Sequence, residues 1–216
     1  MNIIVFIQDN LSLTLFLTWE HVWLVAISLA IAMGTGIPIG IIITRSKNLA
    51  QKVIGGANVI MTVPSIALFG LMLPVLAIVG QGLGKVPAVI ALVLYSMLPI
   101  IRNTYIAIKN VDPAIVDAGR GMGMSKWELL REVEIPLAVP VILAGLKTAA
   151  VMNIGIAAIA AYIGAGGLGV FIQQGIARSH ESMILTGALA VSLLAIVVDL
   201  GMSFLEKAVT PKGLKL

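Results

Sequence analysis

Five stretches of this chain run for about 20 residues or more with almost no charge: Val22 to Ile43, Val53 to Val79, Pro87 to Ile108, Leu137 to Ile163 and Ile184 to Leu205. A hydrocarbon core roughly 30 Å thick is crossed by about 20 apolar residues in an α-helix, which pairs its own backbone groups where no water can. The runs predict an all-α integral membrane protein with five transmembrane helices in a single domain, residues 1–216. Composition agrees, at 59% hydrophobic and 11% charged, against about 45–50% and 25% in soluble domains.

Residues 1–19 are also apolar, but Gln8, Asp9 and Asn10 interrupt them, which predicts an interfacial helix rather than a sixth span. No Lys or Arg precedes Arg45, so a cleaved signal peptide is not expected. Basic residues in short loops set orientation. With the N-terminus outside, Arg45, Lys47, Lys52, Lys109, Arg120, Lys126, Arg131, Lys207, Lys212 and Lys215 fall on the inner side. Only Lys85 and Arg178 fall on the outer side, and Arg102 and Lys147 complete the 14. The expected localisation is a cell membrane, multi-pass, with the N-terminus outside and the C-terminus cytoplasmic.

The second and fourth runs would be about 40 Å long as straight helices, more than the core needs, so they must tilt, break or protrude. Pro64 and Pro74 lie in the second run and allow either a break or a packing kink. Lys147 and Asp199 are the ionisable residues deepest in the runs, and each unpaired charge there costs about 2.5–3.5 kcal/mol or more. They are expected to face protein or water, as a possible intramembrane pair, a translocation-path charge or a snorkelling lysine. Asn58, Thr62, Ser65 and Asn153 are milder candidates for lining a polar route, or alternatively helix-packing contacts.

Several chemistries are excluded. The chain has no cysteine and only two histidines, His21 and His180, so no metal site is expected. Residues 164–169 read GAGGLG, but the dinucleotide fingerprint needs a strand before it and a helix after it in a soluble unit, and here it follows an apolar run. Those glycines are expected to allow a tight turn or a close helix approach. No catalytic residues or P-loop are evident, and the dispersed bases argue against nucleic acid.

Residues 109–136 form the longest inner loop and encode two short helices. Asp112 caps the first and Pro113 suits its first position. Gly119, Gly121 and Gly123 interrupt it, and Ser125 with Glu128 forms a capping box for the second, which Pro136 is expected to stop. Trp127, Leu130 and Val133 give that second helix a narrow apolar face for docking beneath the spans or into another protein. A capped, charged helix pair of this kind is a docking element rather than a plain solvated loop.

This stretch resembles the EAA motif of ABC-importer permeases: E-A-A, three residues, Gly, nine residues, then I-x-L-P. Here Asp117, Ala118 and Gly119 precede Gly123, and Val133, Glu134, Ile135 and Pro136 follow after nine residues. Asp stands for Glu, Gly for the second Ala, and Val and Ile for Ile and Leu. More widely, 62–74, 85–113, 163–169 and 209–216 are similar to permease subunits of osmoprotectant uptake systems of the glycine betaine, carnitine and choline type. The resemblance implies a type I ABC importer permease fold (MetI-like) and, as partners, two copies of a cytoplasmic ATPase, a second permease (identical or sibling) and an extracytoplasmic solute-binding protein, within membrane lipid. It implies no cofactor on this chain, with ATP and Mg on the ATPase. Asp117 would then meet a basic residue of the ATPase. The function implied is ATP-driven import of quaternary ammonium compatible solutes; the alternatives are another small solute such as an amino acid, or an ion-coupled secondary carrier.

Overall fold

The computed structural model describes residues 3–209, so Lys212, Lys215 and residues 210–216 of the closing stretch lie outside the described residues. All regular elements among the described residues are helical. In chain order they are α1 (Ile3–Asp9), α2 (Leu11–Ile43), α3 (Lys47–Thr62), α4 (Ser65–Ala77), α5 (Lys85–Lys109), α6 (Pro113–Gly121), α7 (Lys126–Glu128), a π-helical turn (Leu129–Glu134), α8 (Ile135–Ile159), a 3₁₀ turn (Ala160–Ile163), α9 (Gly169–Ala177) and α10 (Glu181–Val209). Four helical segments are long and apolar enough to cross a bilayer, and the bent pair α3–α4 makes a fifth candidate.

α2, α5 and α8 pack at the centre. Leu24, Val25, Ala88, Ala91, Leu92, Ile154 and Ala157 form the main core, where small side chains let the helix axes come close. Gly145 of α8 shows how close: a Cβ there would stand 2.8 Å from the Pro99 carbonyl oxygen of α5. α10 packs on α8 and α9, and its outward face carries Leu189, Leu193, Val197 and Leu200 exposed, as a lipid-facing or subunit-facing stripe requires.

Two sequence expectations need correction, at the start of α2 and at Pro136. The division between an interfacial segment 1–19 and a span from residue 22 is displaced, because α2 runs unbroken for 33 residues from Leu11. No Gly or Pro lies between Leu11 and Val22, and Thr14 and Thr18 return their hydroxyls to the carbonyls of Asn10 and Thr14, so the polar residues there need no water. Only α1 is separate, and its Phe6 is buried edge-on against Phe171.

For the run from 53 to 79, the break is the reading that holds. α3 starts at Lys47, behind a Ser46 cap, and meets α4 at an angle of 99°. Val63 and Pro64 are extended at the break, and the Tyr95 hydroxyl donates to the carbonyl of Val63, one of those left without a helical partner.

Pro136 does not stop the helix begun at Ser125. The helix continues from Lys126 to Ile163, widened through Leu129–Glu134, where the Ile135 amide donates five residues back to Leu130. Widening is how an α-helix absorbs the amide that proline lacks. The GAGGLG glycines do make a tight turn, with Gly164, Gly166 and Gly167 at positive φ, and α9 follows over Gly169–Ala177.

Candidate functional site

One end of the bundle collects the ends of α2 and α5 with the start of α8, and α6 and α7 lie between them. Asp112 accepts from the Ala114 amide at 2.9 Å and Pro113 opens α6. Gly123, at φ +84°, reverses the chain into Ser125, where the Glu128 amide donates to Ser125 Oγ at 3.3 Å and the Ser125 amide donates to Glu128 Oε2 at 2.8 Å. Both helix starts are therefore capped as their residues demand.

Gly119 explains why the two pieces hold together. It is buried, and a Cβ there would lie 2.7 Å from Leu129 Cδ1 and 3.2 Å from Met124 Sδ. α6 thus rests on the π-helical turn through Leu129, a residue outside the expected apolar face. Of the expected apolar face, Leu130 and Val133 are half-buried, while Trp127, which precedes the π turn, is 66% exposed and Leu129 is buried in its stead. Of the two docking readings of that face, a place beneath the spans fits Leu130 and Val133 but not Trp127. Ala118 and Pro136 are exposed and Ile135 is half-buried.

Asp117 also faces outward. Its side chain is 71% exposed, and among the described residues its one ion pair is with Arg120, at 3.2 Å and three residues on in the same helix. Such surface pairs contribute little. Between α6, the π turn and the end of α2 lies a cavity of about 660 Å³, walled by Ile41, Arg45, Arg120, Lys126, Leu130 and Glu134. Asp117 itself lines a neighbouring cavity of about 380 Å³, with Arg45, Arg120 and Glu134.

The polar residues within the apolar runs separate into three places. Asn58 and Thr62 are exposed on α3 and Ser65 is half-buried where α4 begins, so these three gather at the break. Asn153 is not with them: it is wholly buried, and its amide donates to Ser96 Oγ of α5 at 2.8 Å. Of its two readings, Asn153 therefore takes the helix-packing one, as a contact between α5 and α8. Lys147 Nζ and Asp199 Oδ1 stand 3.1 Å apart, and Lys147 also donates to Ser203 Oγ at 2.8 Å.

The opposite end holds a cluster that sequence reasoning missed. His21 is fully buried, with Nε2 3.0 Å from the Ile154 carbonyl and Nδ1 accepting from the Leu168 amide at 3.2 Å, which selects the tautomer protonated on Nε2. Glu20 accepts from the Gly167 amide at 3.3 Å and pairs with Lys85 at 2.7 Å, and the Gly84 amide donates to Ile163. Two adjacent residues of α2 thus hold two successive amides of the GAGGLG loop and the start of α5. The signal was present as a Glu-His pair opening an apolar run, but its partners lie from 65 to 147 positions away.

Residues 36–211 match the family model described as the inner membrane component of binding-protein-dependent transport systems. The osmoprotectant import permease protein OsmW of Salmonella typhimurium is 49% identical, covering 100% of both chains. The glycine betaine/carnitine/choline transport system permease protein OpuCB of Bacillus subtilis is 42% identical over 97% of this chain and 94% of its own, and the choline permease protein OpuBB of the same organism is 40% identical over 99% and 96%. Among solved structures, a chain of the inward-facing MetNI methionine ABC transporter superposes with a TM-score of 0.82 at 23% identity, covering 94% of this chain and 99% of that one, a likeness of fold. With these matches spanning nearly its whole length, the chain belongs to the binding-protein-dependent transport family, as a membrane-embedded permease subunit of an ABC importer.

Proposed function

We propose that this permease carries quaternary ammonium compatible solutes of the glycine betaine, carnitine and choline class, and that α6 is the element through which ATPase motion reaches the spans. The observation that carries the coupling role is the exposure of Asp117 on a capped helix whose Gly119 seats it against the π turn leading directly into α8. α7, the π turn and α8 form one continuous helical segment, so a push on α6 has a stiff lever to act on. The solute class is supported by the names of relatives 40–49% identical over almost the entire chain. Methionine, carried by the transporter of similar fold, gains no support at 23% identity.

In this reading the Arg45 end faces the cytoplasm, in keeping with the basic residues that cluster there, and the Glu20 end faces outward. Two ATPase copies bind two permeases, identical or sibling, each through Asp117, Ala118, Gly119 and Gly123, with Ile135 and Pro136 at the lever's root. ATP and Mg reside on the ATPase, and an extracytoplasmic binding protein delivers the solute. Asn58, Thr62 and Ser65, gathered at the broken span, line the route. ATPase closure brings the two α6 helices together and rocks the spans between inward-open and outward-open arrangements.

The test is reconstitution of the permease with its ATPase and binding protein in vesicles. Glycine betaine, carnitine or choline is expected to stimulate ATP hydrolysis and to accumulate only when the ATPase is present. Uptake that persists without any ATPase would refute the coupling role, and indifference to all three solutes would refute the solute class.

A further inference from the structure

Lys147 and Asp199 are placed where charges need an explanation. At 1.5 Å per residue, Lys147 lies about 15 Å along the axis from Leu137 and Asp199 about 9 Å from Leu205, which puts the pair in one half of a core roughly 30 Å thick, well inside the apolar runs. A pair at that depth is ordinarily enclosed by protein. This one is open: the side chains remain 29% and 43% exposed, on the wall of a cavity of about 390 Å³ that they share with Thr148, Val151 and Met152. Acyl chains are a poor neighbour for that wall, and water or a polar solute is a good one.

The hydrogen bonding also leaves capacity. An ammonium has three donors, of which Ser203 and Asp199 engage two, and a carboxylate has about four acceptor sites. Ser203 in turn donates to the Asp199 carbonyl at 2.8 Å, which fixes the serine and with it the lysine head. The cluster is therefore a held dipole, positive at α8 and negative at α10, facing an unfilled space within the size range of small-molecule sites.

We propose that this pair is a transit site for the zwitterionic members of the solute class, with the carboxylate of the solute against Lys147 and its quaternary ammonium against Asp199. The proposal rests on the solute class given above. A quaternary ammonium has no N–H to donate, so it is recognised by aromatic faces or by charge. The cavity wall has no aromatic side chain, which leaves the Asp199 carboxylate as its only cation-recognising group. Glycine betaine and carnitine carry both a fixed cation and a carboxylate, whereas choline carries only the cation. Because Lys147 and Asp199 neutralise each other when the site is empty, a solute must displace their mutual contact to bind. That keeps occupancy brief, as a route requires.

The chain has no cysteine, so a single introduced thiol reports access without further mutation. In the reconstituted complex, Thr148→Cys is expected to react with a membrane-impermeant, cationic methanethiosulfonate reagent, detected as added mass on this chain, and glycine betaine in excess should slow the reaction severalfold. No modification with or without ATP would overturn the proposal and assign the cavity to a contact with lipid or with a second permease. Independently, Lys147→Gln should retain choline uptake while lowering glycine betaine and carnitine uptake, raising the choline to betaine ratio about tenfold, and Asp199→Asn should lower all three. The ratio is read within one variant, so loss of folded protein cancels, and an unchanged ratio overturns the proposal. If the wild-type complex imports none of the three, the solute class fails and this site with it; a normal wild type with indifferent variants refutes the site alone.

Discussion

The two ends of the bundle solve opposite problems with similar residues. At the Glu20 end, an acid, a histidine and a lysine are drawn together with backbone amides from segments more than 60 and 130 positions away, and His21 is wholly enclosed. At the Asp117 end, acids and bases of comparable number satisfy only their immediate neighbours: Asp112 caps Ala114, Asp117 meets Arg120, and Glu128 meets Ser125. Long-range polar contacts make a fixed plate. Local ones make a rigid small part whose outward faces stay available, which is what a contact with another subunit requires.

The comparison breaks most severely at Gly169. A Cβ there would lie 1.9 Å from the Ala158 carbonyl oxygen, backbone against backbone, with no flexible side chain to yield. G169A is expected to cost more than about 4 kcal/mol, enough to abolish recovery of monodisperse protein. Near-normal recovery by size-exclusion chromatography would show that the GAGGLG loop is not the fixed plate its hydrogen bonds describe.

His21 comes next. His21→Ala removes the partners of the Ile154 carbonyl and the Leu168 amide and leaves a void the size of an imidazole. A loss of about 3 kcal/mol is expected, seen as a lowered melting temperature of the detergent-solubilised complex. Binding of the ATPase should not repair it, because ligand linkage stabilises the folded state as a whole without supplying the missing partners. If ATP-loaded ATPase restored the melting temperature of this variant more than that of wild type, the two ends would be one cooperative unit rather than two.

What the residues alone revealed follows the same division. Spans, caps and the Asp112 and Ser125 helix starts are set within four or so residues of one another, so composition and spacing exposed them. The continuity of α2 through Leu11 was hidden because it depends on threonine hydroxyls turning back on their own helix, which hydropathy counts as interruption. The apolar face of the helix begun at Ser125 was only partly legible: Leu130 and Val133 are half-buried as spaced, but the buried residue is Leu129, set by its contact with Gly119 of α6 rather than by helical period. The Glu20–His21 plate was not legible in spacing because its contacts join α2 to the far end of α8 and the loop beyond, a pairing that only the packing of α2 against α5 and α8 creates.

The smallest structural effect is expected at Asp117, and it sharpens the contrast most. Asp117→Lys exchanges an exposed pair for a like-charge neighbour to Arg120 on a surface helix, a change of within about 0.5 kcal/mol, so the melting temperature of the isolated permease should scarcely move. Solute-stimulated ATP hydrolysis and ATPase retention on a size-exclusion column should nevertheless fall at least tenfold. That loss corresponds to about 1.4 kcal/mol or more of a contact made with another chain. A matching reversal of a basic residue on the ATPase should recover part of it, since two charges facing each other across an interface couple whichever way round they stand. Should Asp117→Lys lower the permease's own stability as much as His21→Ala does, α6 would be a structural brace and the outward-facing acid would need another explanation.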